Sequence, residues 1–534
     1  MTQGSEAPSS RSYDAVVVGA GPNGLVAANH LADAGWSVLL LEAQPEVGGA
    51  VHSDRELHPD YVQDTFSAFY PLGVASPALQ SLHLERHGLE WSHAPAVLGH
   101  ARPDAEWAML LRDRHRTAEL MEAQSPGDGE AWLELSHTWD VIGEQVVGAL
   151  LTPFPPVRHG SAALVKVARG GGLGLVKELL TPAQSLGKRF SGEAPGLLLA
   201  GNAGHADIPL TSPGSGLLGM LLTFVGQQVG YPVPVGGAGE LAAALARRFE
   251  SLGGEIRCRT RVDHVDVERG RAVGVRTADG ERIGARRAVC ADVLASHLYG
   301  GLVAPGDVPR RVAREMRSFE LDPGTVKVDW ALDGPVPWTV PPPHAPGTVH
   351  VADSVSQMGE ALGQVAAGII PADPFMLMGQ MTTSDPTRSP AGTESAWAYA
   401  HVPHGESPDA GDGGVRGVWD HDDCERFGDR MQARIERLAP GFGSRVVARR
   451  VLGPRELEAR DANLVGGALN GGTSQLHQQL VFRPVPGAGR AETGIAGLYL
   501  ASASAHPGGG VHGACGMNAA RAALAHARLT PWRR

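Results

Sequence analysis

The chain has 534 residues, with 46 Lys and Arg against 57 Asp and Glu, a formal net charge of −11. That balance, without any basic stripe, disfavours a nucleic-acid partner. A hydrophobic fraction of 43% can bury a large core, so 71 Gly and 39 Pro imply many turns rather than disorder, and the length fits two interleaved domains.

Residues 1–11 lack the apolar core of a signal peptide and read as a disordered tail, so export is not expected. The cysteines Cys258, Cys290, Cys424 and Cys515 are scattered, without CxxC or metal-ligand spacing. No metal and no dithiol redox centre is therefore expected, and a reducing cytoplasm fits.

The first elements are a strand at Ala15–Val18, the turn "GAGPNG" from Gly19 to Gly24, and a helix at Leu25–Ala34. Glycines let the backbone take angles closed to other residues and approach a ligand. The helix that follows turns unpaired N–H groups and its positive dipole end outward, which favours a pyrophosphate. Pro22 suits the first helical turn, where no N–H is needed. A second strand, Ser37–Leu41, ends on Glu42, where an acid binds ribose hydroxyls in dinucleotide folds. Gly48 and Gly49 could bring backbone against the same ligand, and that second glycine pair points to FAD rather than NAD.

From Gly127 to Gly230 the apolar spacing is mostly helical and reads as an inserted, substrate-facing layer. Its most apolar run, Gly216–Gly226, is too short to span a membrane. It reads as a buried helix, with a tunnel wall or a shallow membrane contact as alternatives. A second glycine cluster, Gly237–Ala242, fits GxGxxA, but Pro232 and Pro234 upstream rule out a central parallel strand. It is expected to be a loop-to-helix turn opening a helix at Glu240–Phe249. Gly253–Ala291 reads as a hairpin meander broken at Arg269-Gly270 and Asp279-Gly280. Pro335–Pro346 and Pro403–Gly414 read as surface loops. Near the end come a short buried strand at Leu498–Ala501, a turn at Pro507–Gly510, and a helix from Gly513 whose near face is small.

The pairing of "VVVGAGPNGLVAANHLADAGWSVLLLEAQPEVGGA" with "GLYLASASAHPGGGVHGACGMNAARAA" resembles the phytoene dehydrogenase-like FAD oxidoreductases, relatives of carotenoid desaturases and, further off, of amine oxidases. The stretches Asp64–Trp91, Tyr231–Leu245 and Asn463–Pro484 carry the same likeness, which spans nearly the whole chain. It implies an α/β fold: a Rossmann-type FAD-binding domain, with a parallel sheet and β-meander, interleaved with an α+β substrate domain. The first would take residues 12–116, 231–300 and 485–530; the second, with its helical insertion, 117–230 and 301–484.

Carried over by residue, the resemblance puts Gly19, Gly21 and Gly24, with Pro22 and Asn23, at the FAD pyrophosphate. Glu42 and Ala43 fall at the adenosine ribose and the Val262 backbone at the adenine. Gly48, Gly49 and Ala50 approach the pyrophosphate and flavin side, and Ser504, Gly509, Gly510, Val511 and His512 border the flavin ring. Two departures weaken the amine-oxidase analogy: Ala50 stands where many relatives have Arg or Lys, and Ser502-Ala503-Ser504 lacks an acid.

Desaturating an apolar C–C bond beside a flavin needs a dry tunnel and at most one acid or base. His512, His506 and His52 are the candidates for that proton; Cys515 reads as packing rather than as a flavin attachment. The favoured activity is dehydrogenation of a hydrophobic, isoprenoid-like small molecule, with oxygen or a quinone as acceptor. The alternatives are a redox-neutral flavin-dependent isomerase or hydratase and a non-enzymatic flavin-containing interaction protein. A cytoplasmic location, with or without weak association at a membrane surface, is expected.

Overall fold

The computed structural model describes residues 11–102, 106–156, 177 and 180–529. Two seven-stranded sheets organise it. In the first, β1 (Ser12–Val18), α1 (Pro22–Asp33) and β2 (Val38–Leu41) form the opening unit. β1 runs parallel to β2 on one side and to the strand Arg282–Ala291 on the other. Ala15, Val16 and Val17 are fully buried, as expected for a parallel strand covered on both faces.

The meander forms as its turns dictate. Gly270 and Gly280 hold positive φ (+76° and +90°) between the antiparallel strands Val262–Glu268, Arg271–Thr277 and Arg282–Ala291. The far half of that last strand pairs in parallel with Leu498–Leu500. The carboxyl-terminal chain thereby returns to the centre of the first sheet. The helix Ala514–Leu529 packs on α1 so closely that a Cβ at Gly516 would lie 1.9 Å from the Asn23 carbonyl oxygen.

The second sheet has the order Val446–Leu452, Gly324–Leu332, Glu394–Val402, Met376–Gln380, Pro346–Val351, Ala96–His100, Ala108–Leu110. Alternation splits its residues between two faces. Val326, Val328, Trp330, Ala396, Ala398 and Met378 form an apolar core under the helix His421–Leu438. The opposite face carries Lys327, Asp329, Trp397, Tyr399, His401 and His350, at the intervening positions.

The helices Ala194–Ala203 and Ser215–Val229 cover part of that second face. A Cβ at Gly201 would sit 2.1 Å from His350 Nδ1, which shows how closely the first of them lies on the sheet. Met220, Phe224 and Val225 pack against Trp132, Trp139 and Leu198, so the apolar run at 216–226 is a buried helix.

The strands Ala96–His100 and Ala108–Leu110 pair within the second sheet, so residues 96–110 depart from the expected first domain at 12–116. Val303 and Val308 pack in the first sheet's core and carry that domain past residue 300. The expected tail lies outside the described residues, apart from Arg11. Among the described residues no helix is long and apolar enough to cross a membrane.

Candidate functional site

Each glycine of the first turn has a steric reason. Gly19 takes φ +94°, and Cβ atoms would fall 2.7 Å from the Asp292 carbonyl at Gly19, 2.7 Å from the Asp292 carboxylate at Gly21, and 2.1 Å from the Gly19 carbonyl at Gly24. α1 opens at Pro22 with no side-chain cap on its first turn. The buried Asn23 keeps its Oδ1 without a partner. Gly49, at φ +52°, lies so near the turn that a Cβ would be 3.1 Å from Gly21 Cα, and the Gly48 N–H donates to the Ala20 carbonyl at 2.9 Å. The two glycine motifs therefore form one continuous cradle.

Three carboxyls surround it. Glu42 accepts from the Ala20 N–H at 2.7 Å and the Gln44 N–H at 2.8 Å, which leaves acceptor capacity for ribose hydroxyls. Asp292 accepts from the Gly24 N–H at 2.8 Å. Burial, opposed by that hydrogen bond and reinforced by Asp461 and Glu42, pushes the Asp292 carboxyl up to about 8. Burial also pushes Asp461, beside Gly49, up to about 6. Ala43 is exposed beyond the strand, and Val262 is buried at the start of the meander. The Ala50 carbonyl accepts from Ser67 Oγ at 2.7 Å.

The second glycine turn, 508–513, bends through positive φ at Gly508, Gly510, Val511 and Gly513. Val511, branched at Cβ, sits at φ +50°, a strained position. His512 Nδ1 accepts from the Ala514 N–H at 3.1 Å, so its proton is on Nε2. Burial lowers His512 to about 4, and His506 likewise. His506 Nε2 reaches the Thr152 carbonyl at 3.0 Å. Both rings are therefore neutral near pH 7. His52 stands apart on the surface side, between Thr65 Oγ1 at 3.2 Å and Glu46 at 3.4 Å. Cys515 Sγ packs against the carbonyls of Ala505 and Gly508, each at 3.5 Å. Ser504 Oγ donates to the Gly471 carbonyl at 2.9 Å and accepts from the Ala295 N–H at 3.0 Å.

Behind the turn lies a loop at 469–474, inside the stretch Asn463–Pro484, to which the sequence reading assigned no site role. A Cβ at Gly509 would meet Asn470 Oδ1 at 2.6 Å, and one at Gly471 would meet Ala503 at 3.0 Å. Fully buried Arg483 donates to the carbonyls of Asn470, Gly472, Thr473 and Ala503. Asp292 and Arg483 were also passed over. Asp292 had a signal, as the first residue after the strand that pairs beside β1, and Arg483 lies within the stretch Asn463–Pro484 already noted for its family likeness.

A short segment joins the two glycine turns to the second sheet. Ser67 bonds Ala50, Leu72 lies against Gly510, where a Cβ would be 3.1 Å from Leu72 Cδ1, and Phe69 stands 6.0 Å from Trp397 and 6.5 Å from Tyr231. Trp397 in turn stacks on Tyr399 at 6.0 Å. The Lys327 ammonium, 5.8 Å from the Trp397 ring centre, is neutralised by the adjacent Asp329.

The second glycine cluster is not a nucleotide site. The amides of Gly236, Ala238 and Gly239 donate to Asp385, Asp64 and Ser53.

A Rossmann cradle completed by the returning carboxyl-terminal chain, beside a second sheet, is the geometry of a dinucleotide-binding protein. A family described as NAD(P)-binding Rossmann-like domain matches residues 17–82, and one described as flavin containing amine oxidoreductase matches residues 174–346. The chain is an FAD-dependent oxidoreductase similar to phytoene desaturases and to flavin-containing amine oxidoreductases. It is 29% identical to pyridine nucleotide-disulfide oxidoreductase domain-containing protein 2 of Mus musculus, over 95% of this chain and 92% of the mouse protein. It is 27% identical to a lycopene-forming phytoene desaturase of Pseudescherichia vulneris, over 95% and 98% of the two chains. Among solved structures, putrescine oxidase bound to putrescine shares the fold at a TM-score of 0.58 and 16% identity, over 97% and 99% of the two chains.

The glycines that leave no room for a Cβ, and the start of α1 that they bring to the turn, fit a bound pyrophosphate. Gly19–Gly24 with Gly48 and Gly49 would hold it, Glu42 the ribose, and the turn 508–512 the ring.

Proposed function

We propose that this protein dehydrogenates a small, hydrophobic, isoprenoid-like molecule, with oxygen or a quinone as the final acceptor. FAD held in the cradle would supply the two-electron relay. Two hydrogens would leave adjacent carbons of the substrate, one as a hydride equivalent and one as a proton to water, a C=C bond would form, and the final acceptor would take up two electrons and two protons. The residues of this chain supply shape and dryness.

The segment Ser67–Leu72 carries this reading, because it sets an aromatic wall of Phe69, Tyr231, Trp397 and Tyr399 beside the flavin turn. Such a wall suits unsaturated hydrocarbon. Lys327, beside the Trp397 ring, is paired within a buried network of Asp329, Arg450 and Asp54. Further support comes from the names of full-length relatives, including a component of the limonene dehydrogenase of Castellaniella defragrans at 25% identity over 97% of this chain. His512 and His506, being neutral and hydrogen-bonded to backbone, act in this reading by fixing the turn.

The test is anaerobic mixing of the yellow holoprotein with terpenes, carotenoid precursors and amines. Bleaching by a hydrocarbon and recovery with oxygen or a quinone is expected. Bleaching by amines alone would overturn the reading, and turnover that needs prior reduction yet consumes no acceptor would replace it with a redox-neutral reaction.

A further inference from the structure

A cavity of about 260 Å³ opens at the end of the second sheet, on the side of the loop 469–475 away from the flavin turn. Its walls are mixed: Ile208, Leu321, Leu362 and Val365 face the same space as Asp207, Glu320, His401, His404 and Gln475. His401 is only 5% exposed, and neither ring nitrogen makes a well-formed hydrogen bond, although the Gly324 backbone lies alongside the ring. Leaving a buried polar group unpaired costs on the order of 1–3 kcal/mol, so such a group marks a place where something else completes the bond.

We propose that this cavity binds a small, amphipathic molecule carrying a neutral oxygen function, a hydroxyl or a carbonyl, with His401 as its hydrogen-bond partner. The size is suitable: at roughly 30 Å³ per water, the space holds about nine. Burial lowers the His401 pKa, so a neutral ring offers one donor and one acceptor, which matches either oxygen group. An anion would meet the carboxylates of Asp207 and Glu320, which line the same space. A cation finds little in Asp207, whose oxygens already accept from the Thr473 hydroxyl and from the Ser474 N–H at 2.7 Å. Glu320, in turn, is shared with His477 at 3.2 Å.

The same contacts tie the cavity to the redox centre. Asp207 grips Thr473 and Ser474, while Asn470 and Gly471 of that loop abut Gly509 of the flavin turn and Ala503 just before it. One loop therefore separates the cavity from the flavin turn. Two sources supply the chemistry: an oxygenated substrate or product, and a quinone acceptor.

The experiment is calorimetric titration of the oxidised holoprotein, which requires no turnover, so the dehydrogenation reading can fail without affecting it. The probes are geraniol, its hydrocarbon counterpart myrcene, geranylamine, and a short-chain benzoquinone. Binding of geraniol or of the quinone, weakened at least tenfold in His401→Phe and partly restored in His401→Gln, is expected, with myrcene indifferent to both changes. Ala366→Trp, at an exposed rim position, should weaken the same probes without disturbing the fold. Reoxidation of the dithionite-reduced protein by the quinone, slowed in His401→Phe, would identify the acceptor as the source; geraniol binding alone would identify the substrate or product. Failure of both probes to bind, affinities unchanged in both His401→Phe and Ala366→Trp, or geranylamine binding tighter than geraniol would overturn the proposal.

Discussion

Asp322 and Arg483 hold one loop from opposite sides of its peptide groups. Asp322 accepts from the N–H groups of Leu469 at 2.7 Å, Asn470 at 2.8 Å and Gly472 at 3.2 Å. Arg483 donates to the carbonyls of Asn470 at 2.7 Å, Gly472 at 3.2 Å and Thr473 at 2.8 Å, and also reaches Ala503 just before the flavin turn. The opposed charges align the loop's dipoles and weld it to the turn. A buried guanidinium satisfied by carbonyls alone is stable only while every fork finds its partner.

Arg483→Lys should therefore fail nearly as badly as Arg483→Leu, because a single ammonium cannot span four carbonyls in a fixed fan. A loss of about 3 kcal/mol or more is expected for either, from buried carbonyls left unpartnered. Thermal melts together with FAD content per chain check it. A Lys variant that melts and retains FAD like the parent would show that the fan is dispensable.

The Asp292 carboxyl predicts a pH dependence. Its folded value, about 8, lies above the ordinary 3.8, so the folded chain keeps a proton that the unfolded chain loses near pH 4. Its contribution to stability is intact below that point and declines as pH rises through 4 to 8. A bound pyrophosphate adds negative charge beside the carboxyl and favours the protonated form further. FAD affinity should fall as pH rises from about 7 to 9, and Asp292→Asn, which can still accept from the Gly24 N–H, should flatten that slope. Fluorescence titration of FAD into apoprotein across the range measures it, and parallel slopes for the two proteins would refute it.

Glu42 supplies a second cofactor test. Its carboxylate closes on the Ala20 and Gln44 amides and leaves acceptor capacity for a sugar. Glu42→Ala should weaken FAD by about 10- to 100-fold, the ~1–3 kcal/mol of charge-assisted hydrogen bonds, with little change in secondary structure. Equilibrium dialysis of the apoprotein reads this directly.

The chain revealed in its sequence what neighbours along it decide. Strand, glycine turn, helix and Glu42 lie within a few dozen residues, and the hairpins at Gly270 and Gly280 are marked by residues that tolerate positive φ. What it hid depends on distant partners. Asp292 meets Gly24 across 268 positions, and Ala96–His100 finds its parallel mate at Pro346–Val351, so neither has a local signature. The helix at 215–229 was legible as a helix, but its burial is set by the tryptophans Trp132 and Trp139 on another helix. His401 stands out only through what the fold leaves unpaired around it.

Gly516 joins both kinds of information. Its small size was readable, but the reason for it is the Asn23 carbonyl of α1, 1.9 Å from where a Cβ would lie, with the Ala27 N at 3.1 Å. Backbone cannot yield as a flexible side chain does, so Gly516→Ala must push the carboxyl-terminal helix away from the first turn of α1. That turn is the proposed pyrophosphate cradle, so the damage should appear in two readouts together. Overpacking of this kind costs about 1–3 kcal/mol, and FAD affinity should fall with it because the Gly19–Gly24 loop and the 508–513 turn separate. Gly35, with nothing within 4 Å of its would-be Cβ but φ +78°, is the control: Gly35→Ala strains only local backbone and should lower the melting temperature without touching FAD affinity. Equal loss of FAD affinity in the two variants would mean that the cradle responds to global stability and not to the helix contact.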